Sequence, residues 1–240
     1  MAGRAPLRVG SAFPDPPFEV PGSPPAGLDL DLVHALAAGL GRPVELHRYE
    51  GADFEGIFAL LGRSIDLVAS GATVTEHRRT LARWCTPYLR SGQSLAVDAT
   101  AAPGVRGTGD LTGLILGVQD GNTSQPVAEG LHTAGRIAGV KVYAYGEIGT
   151  ALDDLEQGAI GGFMKLEPVL RRLVADRPKL RIAQTGITTE LIAMAVALDD
   201  AALAGQLDAA QEAIRRSGEL ARIGGRWLAG SDPAATAVLI

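Results

Sequence analysis

The stretch that decides the reading runs Ile65-Asp66-Leu67-Val68-Ala69-Ser70-Gly71-Ala72-Thr73-Val74-Thr75-Glu76-His77-Arg78-Arg79. Its first five residues are an apolar run broken only by Asp66, which reads as a buried strand. A glycine turn follows, then hydroxyl side chains, then a basic residue where a helix should begin. That order is chemistry for holding an anion. Gly71 lets the turn point backbone N–H groups at a ligand, and the start of a helix adds the positive end of the peptide dipole. Thr73 can donate one hydrogen bond, and Arg78 offers a planar fork that matches a carboxylate. The same residues also read as a plain strand–turn–helix joint with a capping threonine and a solvated arginine.

Working outward, strands and helices alternate. Leu7–Gly10 reads as a strand, and Phe13-Pro14-Asp15-Pro16-Pro17-Phe18 then forbids helix and forces an extended segment. Leu30, Val33, Leu36, Ala37 and Leu40 recur at helical spacing until Gly41 and Pro43 stop them. Val44–His47 reads as a strand, and Phe54, Ile57, Phe58 and Leu61 mark a helix closed by Gly62. Asp98 to Asp110 is a break of Ala, Gly, Pro and Thr without apolar period. A second series follows, with strands at Leu114–Val118, Val140–Tyr143, Ile160–Lys165, Leu180–Ala183 and Ile192–Val196. Helical patterns lie between and after them, the last two around Leu203–Ile214 and Leu220–Leu228. Ser231 to Ile240 reads as a loose tail.

The second series repeats the logic of the first. Val118-Gln119-Asp120-Gly121-Asn122-Thr123 is again strand, glycine turn and hydroxyl before a helix. Alternating elements with buried strands indicate an α/β architecture, and the Gly/Pro break divides it into two lobes. Two anion-type turns, one in each lobe, can then face each other across a cleft.

Composition narrows the function. The chain has 240 residues, 46% hydrophobic and 20% charged, which is ordinary for a packed protein of one large or two smaller units. A net charge of −5 gives no footprint for nucleic acid or an anionic membrane, and no apolar run reaches transmembrane length. Cys85 is the only cysteine, so neither an internal disulfide nor a multi-cysteine metal site is available. It reads as a buried structural thiol. His34, His47, His77 and His132 stand at no ligand spacing. No phosphate-binding loop, nucleophile elbow, zinc-helix motif or dinucleotide fingerprint is present, and no cofactor is implied. Met1–Arg4 leads straight into the first strand without a signal-peptide pattern, which fits a mature form or a cytoplasmic chain.

The order of motifs resembles the type II solute-binding proteins of amino-acid ABC transporters, bacterial extracellular solute-binding protein family three, from Leu7 to about Gly230. The residues that carry the likeness are Pro16-Pro17-Phe18-Glu19, Gly27-Leu28-Asp29-Leu30-Asp31-Leu32, Phe54 to Leu60, Gly62 to Asp66, and Gly71 to Arg78. Further along come Pro87 to Gln93, Gly117 to Thr123, Thr188-Thr189-Glu190 and Arg226 to Gly230. The resemblance implies two Rossmann-like lobes joined by a two-strand hinge. Lobe one would comprise residues 4–94 and 190–230, and lobe two residues 98–186. It also implies a monomer in the periplasm or outside the cell, with a small carboxylate-bearing solute as ligand and a transporter permease as partner. The family's carboxylate-binding positions fall on Ser70, Gly71, Thr73 and Arg78 in lobe one and Thr123 in lobe two. Phe54 matches the aromatic wall of the ligand site.

Two departures stand out. Where the family places an aspartate for the ligand's α-ammonium, this chain has Leu166, between Lys165 and Glu167. The aromatic expected just before the Pro-Phe segment is Asp15. Leucine cannot accept from an ammonium, which leaves Lys165 to meet a second anionic group and Asp15 or Glu167 to receive a displaced amine. On that reading dicarboxylates and acidic amino acids outrank neutral ones. An alternative on the same scaffold is a cyclohexadienyl dehydratase-like lyase, whose acidic pair is here reduced to Glu167, and a ligand-sensing module is a third reading.

Overall fold

The computed structural model describes residues 4–51, 53–228 and 237–240. The first half carries strands β1 (Leu7–Ala12), β2 (Val44–Tyr49), β3 (Leu67–Val68), β4 (Arg83–Trp84), β5 (Leu89–Ser91) and β6 (Gln93–Asp98). Helices α1 (Leu28–Leu40) and α2 (Glu76–Arg79) lie among them. The middle runs β7 (Ile115–Gln119), α3 (Ser124–Thr133), β8 (Gly139–Tyr143), α4 (Ile148–Glu156), β9 (Gly162–Leu166), α5 (Glu167–Val174) and β10 (Leu180–Gln184). The chain then returns through β11 (Glu190–Ile192), β12 (Ala195–Val196), α6 (Ala201–Arg216), α7 (Glu219–Leu228) and β13 (Val238–Leu239).

Two five-stranded sheets result, in the orders β2-β1-β3-β12-β4 and β10-β6-β9-β7-β8, with a small sheet β11-β5-β13 between their chain crossings. Each large sheet is the centre of one lobe. In lobe one β1 pairs in parallel with β2 and β3, while β12 returns antiparallel to β3 and β4. Leu7, Val9 and Leu67 pack there against Leu32 and Leu36 of α1, Leu203 and Leu207 of α6, and Leu220 and Ile223 of α7. In lobe two, successive residues of one strand serve opposite cores: Phe163 packs with Ile148 and Leu152, Met164 with Leu95 and Leu116. Helices cover both faces, so these strands read as continuous apolar runs instead of alternating ones.

The structure departs from the sequence expectations in three places. The segment from Phe54 to Leu61 forms a six-residue 3-10 turn, Glu55–Leu60, and not an α-helix. Asp53 Oδ1 accepts from the Gly56 N–H at 2.8 Å and tightens its start, and short segments favour this winding. Strand β6 is absent from the sequence reading, because Gln93, Ser94 and Asp98 interrupt its apolar signal although the whole strand is buried. It lies between β10 and β9, so the second sheet begins at Gln93 and not near residue 98. The first crossing is therefore at Gly92. The expected loose tail is also corrected in part. Ser231–Thr236 lie outside the described residues, as do Ala229 and Gly230 of the closing motif. Val238–Leu239 pair with β5, with Leu239 packed on the lobe-one core, because an apolar pair gains by covering that edge.

The two crossings touch. The Gln93 N–H donates to Thr188 Oγ1 at 2.9 Å, and the Ile187 N–H donates to the Gln93 carbonyl at 2.9 Å. Cys85 is a buried free thiol whose pKa is pushed up to about 12 by burial first and by the charge of Asp208 second.

Candidate functional site

Arg78 is held by the first turn of α2. Thr75 caps that turn, its Oγ1 accepting from the Arg78 N–H at 3.1 Å. The side chain then runs inward and is 3% exposed. Nε donates to Glu55 Oε1 at 3.1 Å, Nη1 to the Thr73 carbonyl at 3.2 Å, and Nη2 to the Gly121 carbonyl at 2.8 Å. The guanidinium lies 4.9 Å from the centre of the Phe54 ring, a stacked cation–π contact. Burial lowers its pKa from the ordinary value, and the Glu55 carboxylate opposes that shift. Of the five N–H groups of a guanidinium three are engaged, and one on each terminal nitrogen remains.

Gly121 belongs to lobe two, so Arg78 reaches across the cleft. The glycine is required there. Its φ of +70° is left-handed, and a Cβ would meet the Phe54 nitrogen at 3.0 Å. Its counterpart Gly71, at φ +54°, leaves room for the Phe18 ring at 2.8 Å from where a Cβ would sit.

The Ser70–Thr73 turn departs from expectation in its donors. The Gly71 N–H, expected to face a ligand, donates to Asp29 Oδ2 at 2.7 Å, and Ser70 Oγ accepts from the Ala12 N–H at 3.0 Å. Beneath the turn lies a buried acidic layer. Asp29 is hydrogen-bonded by the Tyr88 hydroxyl, and Glu19 Oε1 by Ser11 Oγ at 3.0 Å. Burial raises Asp29 to about 6, against the pull of Tyr88 and Gly71. Glu19 is driven well above its usual range by burial, with the nearby charges of Asp29 and Asp15 adding to it.

Thr73 and Thr123 do come together across the cleft, but on a carboxylate of the chain itself. Thr73 Oγ1 donates to Glu190 Oε2 at 2.6 Å and Thr123 Oγ1 to the same oxygen at 2.9 Å. Gln93 Nε2 and Thr188 Oγ1 donate to Glu190 Oε1 at 3.0 and 2.7 Å. Gln93 Nε2 also donates to Thr123 Oγ1 at 3.0 Å. The Thr73 and Thr123 hydroxyl protons expected to meet a ligand anion are thus directed to Glu190 and the Ser70 hydroxyl to Glu19, so Arg78 is the remaining side-chain donor of that group.

Lys165 and Asp15 form a second link between the lobes. Lys165 is 2% exposed, and its Nζ lies 2.9 Å from Asp15 Oδ1 as an ion pair. It also donates to Gln119 Oε1 at 2.6 Å and Asn122 Oδ1 at 3.5 Å. Burial raises the Asp15 pKa while Lys165 opposes it. Expected as a cation waiting for a ligand's second anion, Lys165 is instead matched within the protein. Glu167 is fully buried, with Oε1 2.8 Å from Arg171 Nε on its own helix.

A narrow cavity lies between these groups. The structure brings Asp15, Phe54, Ser70, Gly71, Thr73, Arg78 and Thr123 to its wall, together with Leu166, and places Lys165 behind Asp15. Sequence reasoning missed Gln93 and Asn122 in that wall, and Glu190 and Glu55 behind it. Gln93 and Glu190 lie within motifs that carried the resemblance, and a polar residue in each would have been the signal. Among the described residues no cluster suited to a metal ion is present, and no helix is long and apolar enough to cross a membrane.

Two α/β lobes joined by paired crossings around a polar cleft define a type II binding-protein fold. The description "bacterial extracellular solute-binding proteins, family 3" matches residues 7–230, and the chain belongs to that family. It is similar to an ancestral arginine-binding protein solved with arginine bound, with a TM-score of 0.84 and 28% identity over 93% of this chain and 98% of that one. The ABC transporter arginine-binding protein 1 of Escherichia coli K12 is 27% identical over 229 residues, 92% of this chain and 90% of that protein. The L-arginine-binding protein of Pseudomonas aeruginosa is 28% identical over 236 residues, 93% of this chain and 88% of its own length.

Proposed function

We propose that this protein is the solute-receiving component of an ABC uptake system, working outside the cytoplasmic membrane as a monomer that delivers its ligand to a permease. The ligand is a small amino-acid-type solute whose carboxylate meets Arg78 in the cleft. One observation carries this reading: a buried arginine fork on one lobe, braced by Glu55 and by the carbonyls of Thr73 and Gly121, keeps an N–H on each terminal nitrogen. A buried cation so placed is matched by a planar anion. Closure then follows from differential contact, since the ligand touches both lobes only when they are together.

The geometry alters the choice among ligands. Each cation at the cavity already faces a carboxylate, Arg78 facing Glu55 and Lys165 facing Asp15. A ligand with a second anion gains no spare cation, so the preference for diacids loses its basis and a zwitterion fits better. The lyase alternative needs a general acid at the cavity. Glu167, its candidate, is turned to Arg171.

The test is a thermal-shift panel of L-amino acids, including arginine, set against succinate and glutarate, followed by calorimetry on the best binder. Stabilisation by amino acids that disappears in Arg78→Ala supports the reading. Stabilisation by the diacids alone overturns it.

A further inference from the structure

Gln93 is 2% exposed and lines the cavity, yet its Oε1 is buried without a hydrogen-bond partner. A buried amide oxygen left unpaired is costly, and in a native fold it calls for an explanation. Its orientation is dictated by what lies on the other side. Nε2 donates to Glu190 Oε1 and to Thr123 Oγ1, both at 3.0 Å. A carboxylate accepts only from the NH2 end, so the reverse orientation would set oxygen against oxygen. The Thr123 hydroxyl, which itself donates to Glu190 Oε2, must also receive from a donor. The amide is therefore locked with its oxygen away from Glu190.

On the neighbouring strand the register pairs Gln93 with Leu166, which also lines the cavity and offers no polar atom. The residues that line the cavity are thus of two kinds. Arg78 presents donors, and Gln93 presents an acceptor with nothing from the protein to fill it. A ligand that satisfies both carries an anion and, beside it, a nitrogen bearing hydrogens.

Building on the amino-acid-type reading above, we propose that Gln93 Oε1 receives the ligand's α-ammonium and makes Gln93 a specificity-determining residue of the site. The Glu190 carboxylate, one hydrogen bond behind the amide, holds the acceptor in place and adds a negative field that favours a cation there. Ligands lacking the nitrogen leave Oε1 buried and unpaired. The site therefore rejects them even though Arg78 still holds their carboxylate.

Calorimetry on wild type and Gln93→Met decides this, with L-arginine, L-histidine and L-glutamine each set against the same acid lacking its α-amino group. Wild type is expected to prefer the amino acid by about tenfold or more, the worth of one charge-assisted hydrogen bond. Gln93→Met is expected to bring the two within about threefold. It should do so by losing affinity for the amino acid and not for the desamino acid. A preference that persists in folded Gln93→Met overturns the assignment. So does a wild type that binds both members of each pair equally, and that comparison needs no variant. Silence from all six compounds overturns the carboxylate reading itself and this inference with it, whereas binding without ammonium preference overturns this inference alone.

Discussion

Arg78 Nη2 donates to the carbonyl of Gly121 at 2.8 Å, so the residue that reads as the anion receptor of one lobe is also a clasp on the other. The two roles use different hydrogens of the same planar group. This sharpens what its removal does. Arg78→Ala leaves a bound carboxylate unpaired and also unfastens the lobes. Calorimetry should show a loss of several kcal/mol, at least about a hundredfold in affinity. Arg78→Lys should not rescue it, because a single ammonium cannot serve Glu55, Gly121 and a ligand together. Binding by Arg78→Ala within about threefold of wild type would remove the assignment.

Closure should depend on the absence of a side chain at Gly121. A Cβ there meets the Phe54 nitrogen at 3.0 Å, in a backbone conformation that side chains rarely adopt. Gly121→Val should keep both sheets folded by circular dichroism yet enlarge the radius of gyration in small-angle scattering. Affinity should fall about tenfold or more. An unchanged radius with unchanged affinity would mean that the cleft does not need this contact.

The Asp15–Lys165 pair should be destabilising to break and easy to replace. Lys165→Met leaves Asp15 uncompensated above the buried Glu19 and Asp29, and a loss of about 3 kcal/mol is expected in denaturant unfolding. Asp15→Asn in the same chain should recover most of that loss, since the neutral pair leaves no stranded charge. Additive losses in the double variant would show that the two groups do not act as a pair.

Much of this is legible locally and some of it is not. Arg78, Thr73 and Phe54 sit in or beside a strand–turn–helix whose chemistry is written in nearby residues, so reading along the chain reaches them. Gln93 and Glu190 stand 97 positions apart, and the motif around each does not say that it meets the other. Lys165 is visible in the sequence, but its role is not. A strand-end lysine looks free there, and its partner Asp15 lies 150 positions earlier in a proline-rich segment. Strand β6 escapes a reading by periodicity because Gln93, Ser94 and Asp98 are buried although polar, which no hydrophobic period reveals.

Stability should rise as the pH falls below neutral, an effect of the acids under the Ser70 turn. Asp29 titrates at about 6 in the folded chain against 3.8 for an ordinary aspartate, and Glu19 lies well above 4.5. A carboxyl whose folded pKa is raised binds more protons in the folded state. Its contribution is therefore full below the unfolded value and is lost as pH rises through the folded one. Between about pH 6 and pH 4 the melting temperature should climb. Glu19→Gln, which keeps the shape without the charge, should raise it at pH 7 by about 2–4 °C. A melting curve for Glu19→Gln below that of wild type at pH 7 would show that Glu19 is needed as an anion.

Glu190 ties Thr73 and Thr123 from facing lobes to Gln93 and Thr188 on the two crossings. The carboxylate that ties the two crossings together therefore also holds Thr73, Thr123 and Gln93 in the cavity wall. On the proposed function, a substitution that adapts that wall to new cargo also changes how stiffly the lobes swing. Selectivity and the tempo of loading and release cannot drift apart here. A lineage that changes its diet at this position must also change its gait.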